Sequence, residues 1–134
     1  MADGLTHLVR QWLYKAKRDL MSADRLASGE PPLRDTAAYH CQQAAEKALK
    51  GALLYFGQAI PKTHDLRLLV RLLEDEVGRL DLYESAELLT PFATLYRYPD
   101  DYLEPTQAQY EEAQRAAAEI VSSVHSMLPE RMMP

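Results

Sequence analysis

The stretch Ala37-Ala38-Tyr39-His40-Cys41-Gln42-Gln43-Ala44-Ala45-Glu46-Lys47-Ala48-Leu49-Lys50-Gly51 decides the fold. Residues 35–56 can be set on a helical wheel at about 100° per residue. Ala37, Ala38, Cys41, Ala44, Ala45, Ala48, Leu49 and Ala52 then gather on one side. Tyr39, Gln42, Gln43, Glu46, Lys47 and Lys50 gather on the other. A side made mostly of alanine lets another helix approach closely, which suits a tight bundle or a helix–helix dimer interface. Cys41 lies in the middle of that side, where burial keeps a thiol inert.

Within the polar side, Tyr39, Gln43, Lys47 and Lys50 share a narrow arc: a ring, an amide and two ammonium groups in one row. Such a row can stack on a base, hydrogen-bond its edge and neutralise phosphate. It is equally the composition of a solvated helix face, with Glu46 and Lys50 as an ordinary i,i+4 pair. Both readings place the row in solvent. Lys47→Glu is therefore expected to weaken binding of an anionic ligand while sparing the fold.

Helical spacing continues on both sides of this segment, and no stretch alternates with period two. Upstream, Leu5, Leu8, Val9, Trp12, Leu13, Ala16, Leu20, Ala23 and Ala27 form an apolar stripe that Gly29, Pro31 and Pro32 terminate. Downstream, Gly57 and Pro61 interrupt the chain. Thr63 is then the expected N-cap of a third helix carrying Leu66, Leu69, Val70, Leu73 and Val77, with Asp65 suiting its positive end. Gly78 ends that helix. A fourth is expected from about Tyr83 to Tyr96, kinked or split by Pro91. Residues 97–105 read as a loop. The last helix starts near Thr106 and buries Tyr110, Ala113, Ala117, Ile120, Val121, Val124 and Leu128, after which Pro129 to Pro134 should fray. The short connections predict an all-α, up-and-down antiparallel bundle of four to five helices. It forms one domain over 1–134, with its core at about 5–128.

Composition agrees with a single soluble domain: 134 residues, 47% apolar and 26% charged. The lone Cys41 calls for no oxidising compartment. No apolar run approaches the ~20 residues of a membrane span. Met1 to Gly4 lack the order of a signal peptide, so a cytoplasmic location is expected. The net charge of −5 hides an asymmetry. Residues 1–73 carry eleven Lys or Arg and seven acids, a net of +4, whereas 74–134 carry four and thirteen, a net of −9.

The block from Tyr39 to Gly51 resembles the signature of HEPN domains, the "higher eukaryotes and prokaryotes nucleotide-binding" class. Pro61-Lys62-Thr63-His64-Asp65-Leu66 resembles that family's second block. Trp12, Ala16 and Asp19-Leu20 resemble its first helix, and Arg97-Tyr98-Pro99-Asp100 its loop after the fourth. The resemblance implies a helical bundle that forms a homodimer. It also implies a small nucleotidyltransferase as partner in a toxin–antitoxin-like pair, with nucleotide or RNA as a further ligand. On that basis Tyr39, Gln43, Lys47, Lys50, Lys62, Arg97 and Tyr98 are the candidate ligand-binding residues.

Other members of the family are metal-independent ribonucleases that use an Arg-x4–6-His motif. This chain departs from that pattern, because no histidine follows Arg97 within the window. Tyr102 stands where one would be, and a phenol of pKa ~10 is a poor neutral-pH base. The match Arg34-x5-His40 lies at the wrong place, at the start of the second helix. Arg97, Tyr102 and His64 are the catalytic candidates for a ribonuclease toxin with a non-standard site, and a pure assembly scaffold is the remaining alternative. His64 is otherwise read as part of a helix-capping cluster with Thr63 and Asp65. His40 borders the polar arc within reach of the loop at Arg97. No spacing suggests a metal site, and no glycine-rich phosphate loop is present, so no cofactor is called for.

Overall fold

The computed structural model describes residues 2–94 and 104–134. Among them are five α-helices: α1 (Ala2–Ser28), α2 (Arg34–Tyr55), α3 (Leu66–Val77), α4 (Tyr83–Leu89) and α5 (Gln107–Met127). No strand occurs among the described residues. The all-helical bundle expected from the periodicity is the fold that forms.

Helix α2 lies at the centre, packed against α1, α5 and α3, while α4 closes on α5 and α3. The α1–α2 hairpin is antiparallel. Its turn is pinned by Leu33 N donating to Leu26 O at 2.9 Å. Further along, Trp12 on α1 meets Gly51 on α2, where a Cβ added to the glycine would stand 2.9 Å from Trp12 Cβ. Gly51 is therefore required by close approach of the two helices rather than by its backbone angles. Helix α5 returns antiparallel to α1, with Gln114 Nε2 donating to Asp24 Oδ1 at 2.9 Å. The alanine side of α2 is wholly internal: Ala37, Ala38, Cys41, Ala44, Ala45, Ala48, Leu49 and Ala52 are each 0% exposed. It builds the bundle within one chain and leaves no alanine seam for a dimer interface.

Local chemistry accounts for the ends of the helices. Asp65, not Thr63, caps α3, its carboxylate accepting from Arg67 N at 3.1 Å and Leu68 N at 3.4 Å. The Thr63 hydroxyl instead accepts from Asp65 N and shapes the approach. Helix α3 stops at Gly78, which adopts φ 86°, a region that costs glycine little. Pro91 splits the fourth helical segment. It has no N–H to extend the α ladder, so α4 ends at Leu89 and a 3-10 turn spans Thr90–Ala93. Tyr96 lies outside the described residues. Helix α5 opens with a capping box between Thr106 and Gln109.

The C-terminal residues do not fray as expected. Glu130–Met132 form a 3-10 turn against α1, with Met132 only 2% exposed. An apolar side chain three residues past Pro129 finds a place in the core and fixes the backbone around it.

Candidate functional site

The polar side of α2 is not the solvated face that its composition suggests. Gln42, Glu46 and Lys50 are 0%, 5% and 8% exposed, and Asp19 of α1 is 7% exposed. Buried charges demand partners. Here two carboxylates supply them.

Asp19 projects from α1 toward α2. One of its oxygens meets His40 Nδ1 at 2.7 Å and the other accepts from Lys47 Nζ at 2.7 Å. His40 therefore serves α1; the loop around Arg97, which its place on the wheel also put within reach, lies outside the described residues. Glu46 organises the other flank. Its Oε1 lies 2.7 Å from His64 Nδ1 and accepts from Gln42 Nε2 at 3.1 Å, while its Oε2 accepts from Lys50 Nζ at 3.1 Å. Gln43 Nε2 donates to Gln42 Oε1 at 2.7 Å, which ties the outer row to this network. Burial alone would raise the Glu46 pKa, but the hydrogen bonds from His64, Gln42 and Lys50 outweigh it and hold the carboxyl below its ordinary value.

An ionised carboxylate accepts only, so each facing imidazole nitrogen must carry a proton. That fixes Nδ1–H in both histidines and leaves Nε2 as the ring nitrogen the carboxylate does not use. The His64 side chain is 65% exposed, whereas His40 is 27% exposed. His64 thus presents a carboxylate-oriented imidazole to solvent, while the cap of α3 falls to its neighbour Asp65.

The structure brings Tyr39, Gln43, Lys47 and Lys50 together along α2, with His40 on the α1 flank and His64 on the α3 flank. Lys62 is exposed in the segment leading to α3, two residues from His64. Arg97, Tyr98 and Tyr102 lie outside the described residues. Both lysines of the row are paired to buried carboxylates rather than standing free, so the strip is a near-neutral network with oriented donors. The sequence reading missed Asp19 and Glu46 as organisers. Asp19 carried a signal: it interrupts the apolar stripe of α1 between Ala16 and Leu20, where a charge needs a partner.

Among the described residues, no cluster of three or more His, Cys, Asp or Glu side chains could hold a metal ion. No helix among them is long and apolar enough to cross a membrane. Cys41 is enclosed, and burial, with smaller contributions from Asp24 and Asp19, pushes its thiol up to about 12. It has no nucleophilic part in the site.

Residues 9–127 match the model of the HEPN domain family. Two crystal structures resemble this one. TT1696 from Thermus thermophilus is 31% identical, with 90% of this chain and 98% of that chain covered and a TM-score of 0.79. ST0689, described as an archaeal HEPN homologue, is 30% identical, with 89% and 96% covered and a TM-score of 0.71. No curated protein matches the chain.

Proposed function

Because this chain belongs to the HEPN domain family, we propose that it is a cytoplasmic, homodimeric binding module whose ligand surface is the polar strip of α2. The supporting observation is the pair of buried carboxylates, Asp19 and Glu46, that orient His40, Lys47, Lys50 and His64 around the outer row. A fold gains little stability from withdrawing such charges from water. A preorganised polar surface is what they provide.

The ligand that fits is a nucleotide or a short RNA. Tyr39 supplies a face for a base, Gln43 an amide for its edge and the exposed Lys62 charge for phosphate, while Lys47 and Lys50, held by Asp19 and Glu46, offer oriented N–H donors beside it. Arg97 and Tyr98 complete the proposed set. The protein partner is a nucleotidyltransferase, in a toxin–antitoxin-like pair, and the tendency of the family to dimerise supports the homodimer. Co-expression with a neighbouring nucleotidyltransferase and pull-down tests the pairing: a stable complex is expected, and its absence contradicts the pairing. The internal position of the alanine side takes away the main support for a pure assembly scaffold.

One observation favours a second reading. The Glu46–His64 pair has the form of an oriented general base, suited to a metal-independent ribonuclease toxin in which Arg97 stabilises charge and Tyr102 or His64 handles the proton. RNA incubated with the pure protein in EDTA decides it. Cleavage that is lost in both Arg97→Ala and His64→Ala establishes the enzyme; intact RNA leaves the binding module.

A further inference from the structure

The charge asymmetry of the chain becomes spatial in the fold, and the strip on α2 does not use it. Between Asp3 and Asp24, the exposed charged residues of α1 are Arg10, Lys15, Lys17 and Arg18, all cationic, since Asp19 is buried. None of the four enters an ion pair among the described residues. On the wheel, Arg10, Tyr14, Lys17, Arg18 and Arg25 fall within about 100° of arc along about 23 Å of helix. This is the side turned away from α2. Tyr14 is 42% exposed, and the Arg18 guanidinium lies 5.8 Å from its ring centroid, so a ring and cations form one surface. Arg10 and Tyr14 also line a cleft of about 460 Å³ with Asp3, Thr6, His7, Gln11 and Pro134. Asp3 is the one acid of that cleft, and four other acids gather away from it: Asp81, Glu84, Glu112 and Glu119, with Arg115, line the groove between α4 and α5.

We propose that the outer face of α1 is a docking surface for a single-stranded nucleic-acid backbone, with Arg10, Lys17 and Arg18 meeting phosphates and Tyr14 offering a ring to a base. Unpaired cations in a line, with an aromatic among them, match an anionic polymer carrying bases. The negative net charge does not oppose this at close range, because at physiological salt the field of the distant α4–α5 acids is screened over about 8 Å. The surface is separate from the α2 strip, and it stands or falls whatever ligand the strip takes.

The test is fluorescence anisotropy with a labelled oligouridylate of about 20 nucleotides, long enough to run the length of the arc. Salt is varied between about 50 and 200 mM. The full chain should bind at low salt. The double variant Arg10→Ala with Arg18→Ala should bind about tenfold more weakly. Its log K against log salt slope should be shallower by about 1.4, since each phosphate contact to a single strand contributes about 0.7. The control pair Arg79→Ala with Arg115→Ala removes the same charge elsewhere and should stay within about twofold. Circular dichroism checks that every variant is folded. Oligothymidylate binding as tightly as oligouridylate supports backbone recognition. Three results overturn the proposal: no binding by the full chain at low salt, equal losses in the two double variants, or a preference for phosphatidylserine vesicles over both oligonucleotides.

Discussion

Lys47 Nζ lies 2.7 Å from Asp19 Oδ2, so an ammonium on α2 and a carboxylate on α1 lock the two longest helices together beneath the outer row. The same carboxylate holds His40 through its other oxygen. One acid on the first helix thus sets two side chains of the second.

Removing that acid should cost more than a surface substitution. Asp19→Ala leaves Lys47 and His40 without their acceptor in a largely enclosed place, and a loss of about 3 kcal/mol is expected. Thermal unfolding followed by circular dichroism measures it. Lys47→Glu should also be destabilising, because it sets a second carboxylate against Asp19. This reverses the expectation that the side chain is free in solvent and the fold indifferent to it.

Glu46 gives a pH signature. Its carboxyl is held below the ordinary value of 4.5 in the folded chain. A depressed carboxyl contributes stability that is fully present above its unfolded pKa, and that stability is lost as pH falls from there through the folded value. Denaturant titrations from pH 7 to pH 3 should therefore show a steeper acid loss in the natural chain than in Glu46→Gln. Parallel acid limbs would show that Glu46 contributes nothing to it.

Cys41 is a built-in reporter of unfolding. With the thiol pushed up to about 12 by burial, and 0% of the residue exposed, a disulfide reagent at pH 8 should label it only when the core opens. Labelling of the native protein at the rate of a free thiol would mean that the α2 core is open.

Gly51→Ala separates helix propensity from packing. Alanine favours an isolated helix by about 1 kcal/mol. Here its Cβ would stand 2.9 Å from Trp12 Cβ, so α1 must shift, and overpacking of this kind costs about 1–3 kcal/mol. A lower melting temperature with altered Trp12 fluorescence is expected. A stabilised variant would show that α1 yields freely.

The helices were legible because each carries its own periodicity. The stripe from Val9 to Ala27 and the alanine side of α2 needed no tertiary knowledge to be placed. Leu5 and Leu8, assigned to the same stripe, are 37% and 51% exposed, because no helix among the described residues covers them. What a wheel cannot show is which neighbour covers a polar side. The burial of Gln42, Glu46 and Lys50 depends on surrounding elements: Asp19 lies 27 residues before Glu46 and His64 lies 18 after it. Short-range chemistry was also misjudged where two residues compete, as at Thr63 and Asp65, where the carboxylate takes the cap and the hydroxyl takes the turn before it. Met132 escaped notice because an apolar residue near a chain end has no period to mark it. The row Tyr39, Gln43, Lys47 and Lys50 does lie along one side of α2, but with Lys50 withdrawn to 8% exposure where the wheel placed it in solvent. The carboxylates that hold it in shape were not seen.

The most direct test of the α2 strip as the ligand surface is a backbone amide NMR titration of the full chain with ATP, a ligand too small to need the α1 face. Shifts that saturate and cluster on Tyr39, Gln43, Lys47, Lys50, Lys62 and His64 are predicted. Saturable shifts confined to other surfaces, or none at millimolar ATP, would contradict it.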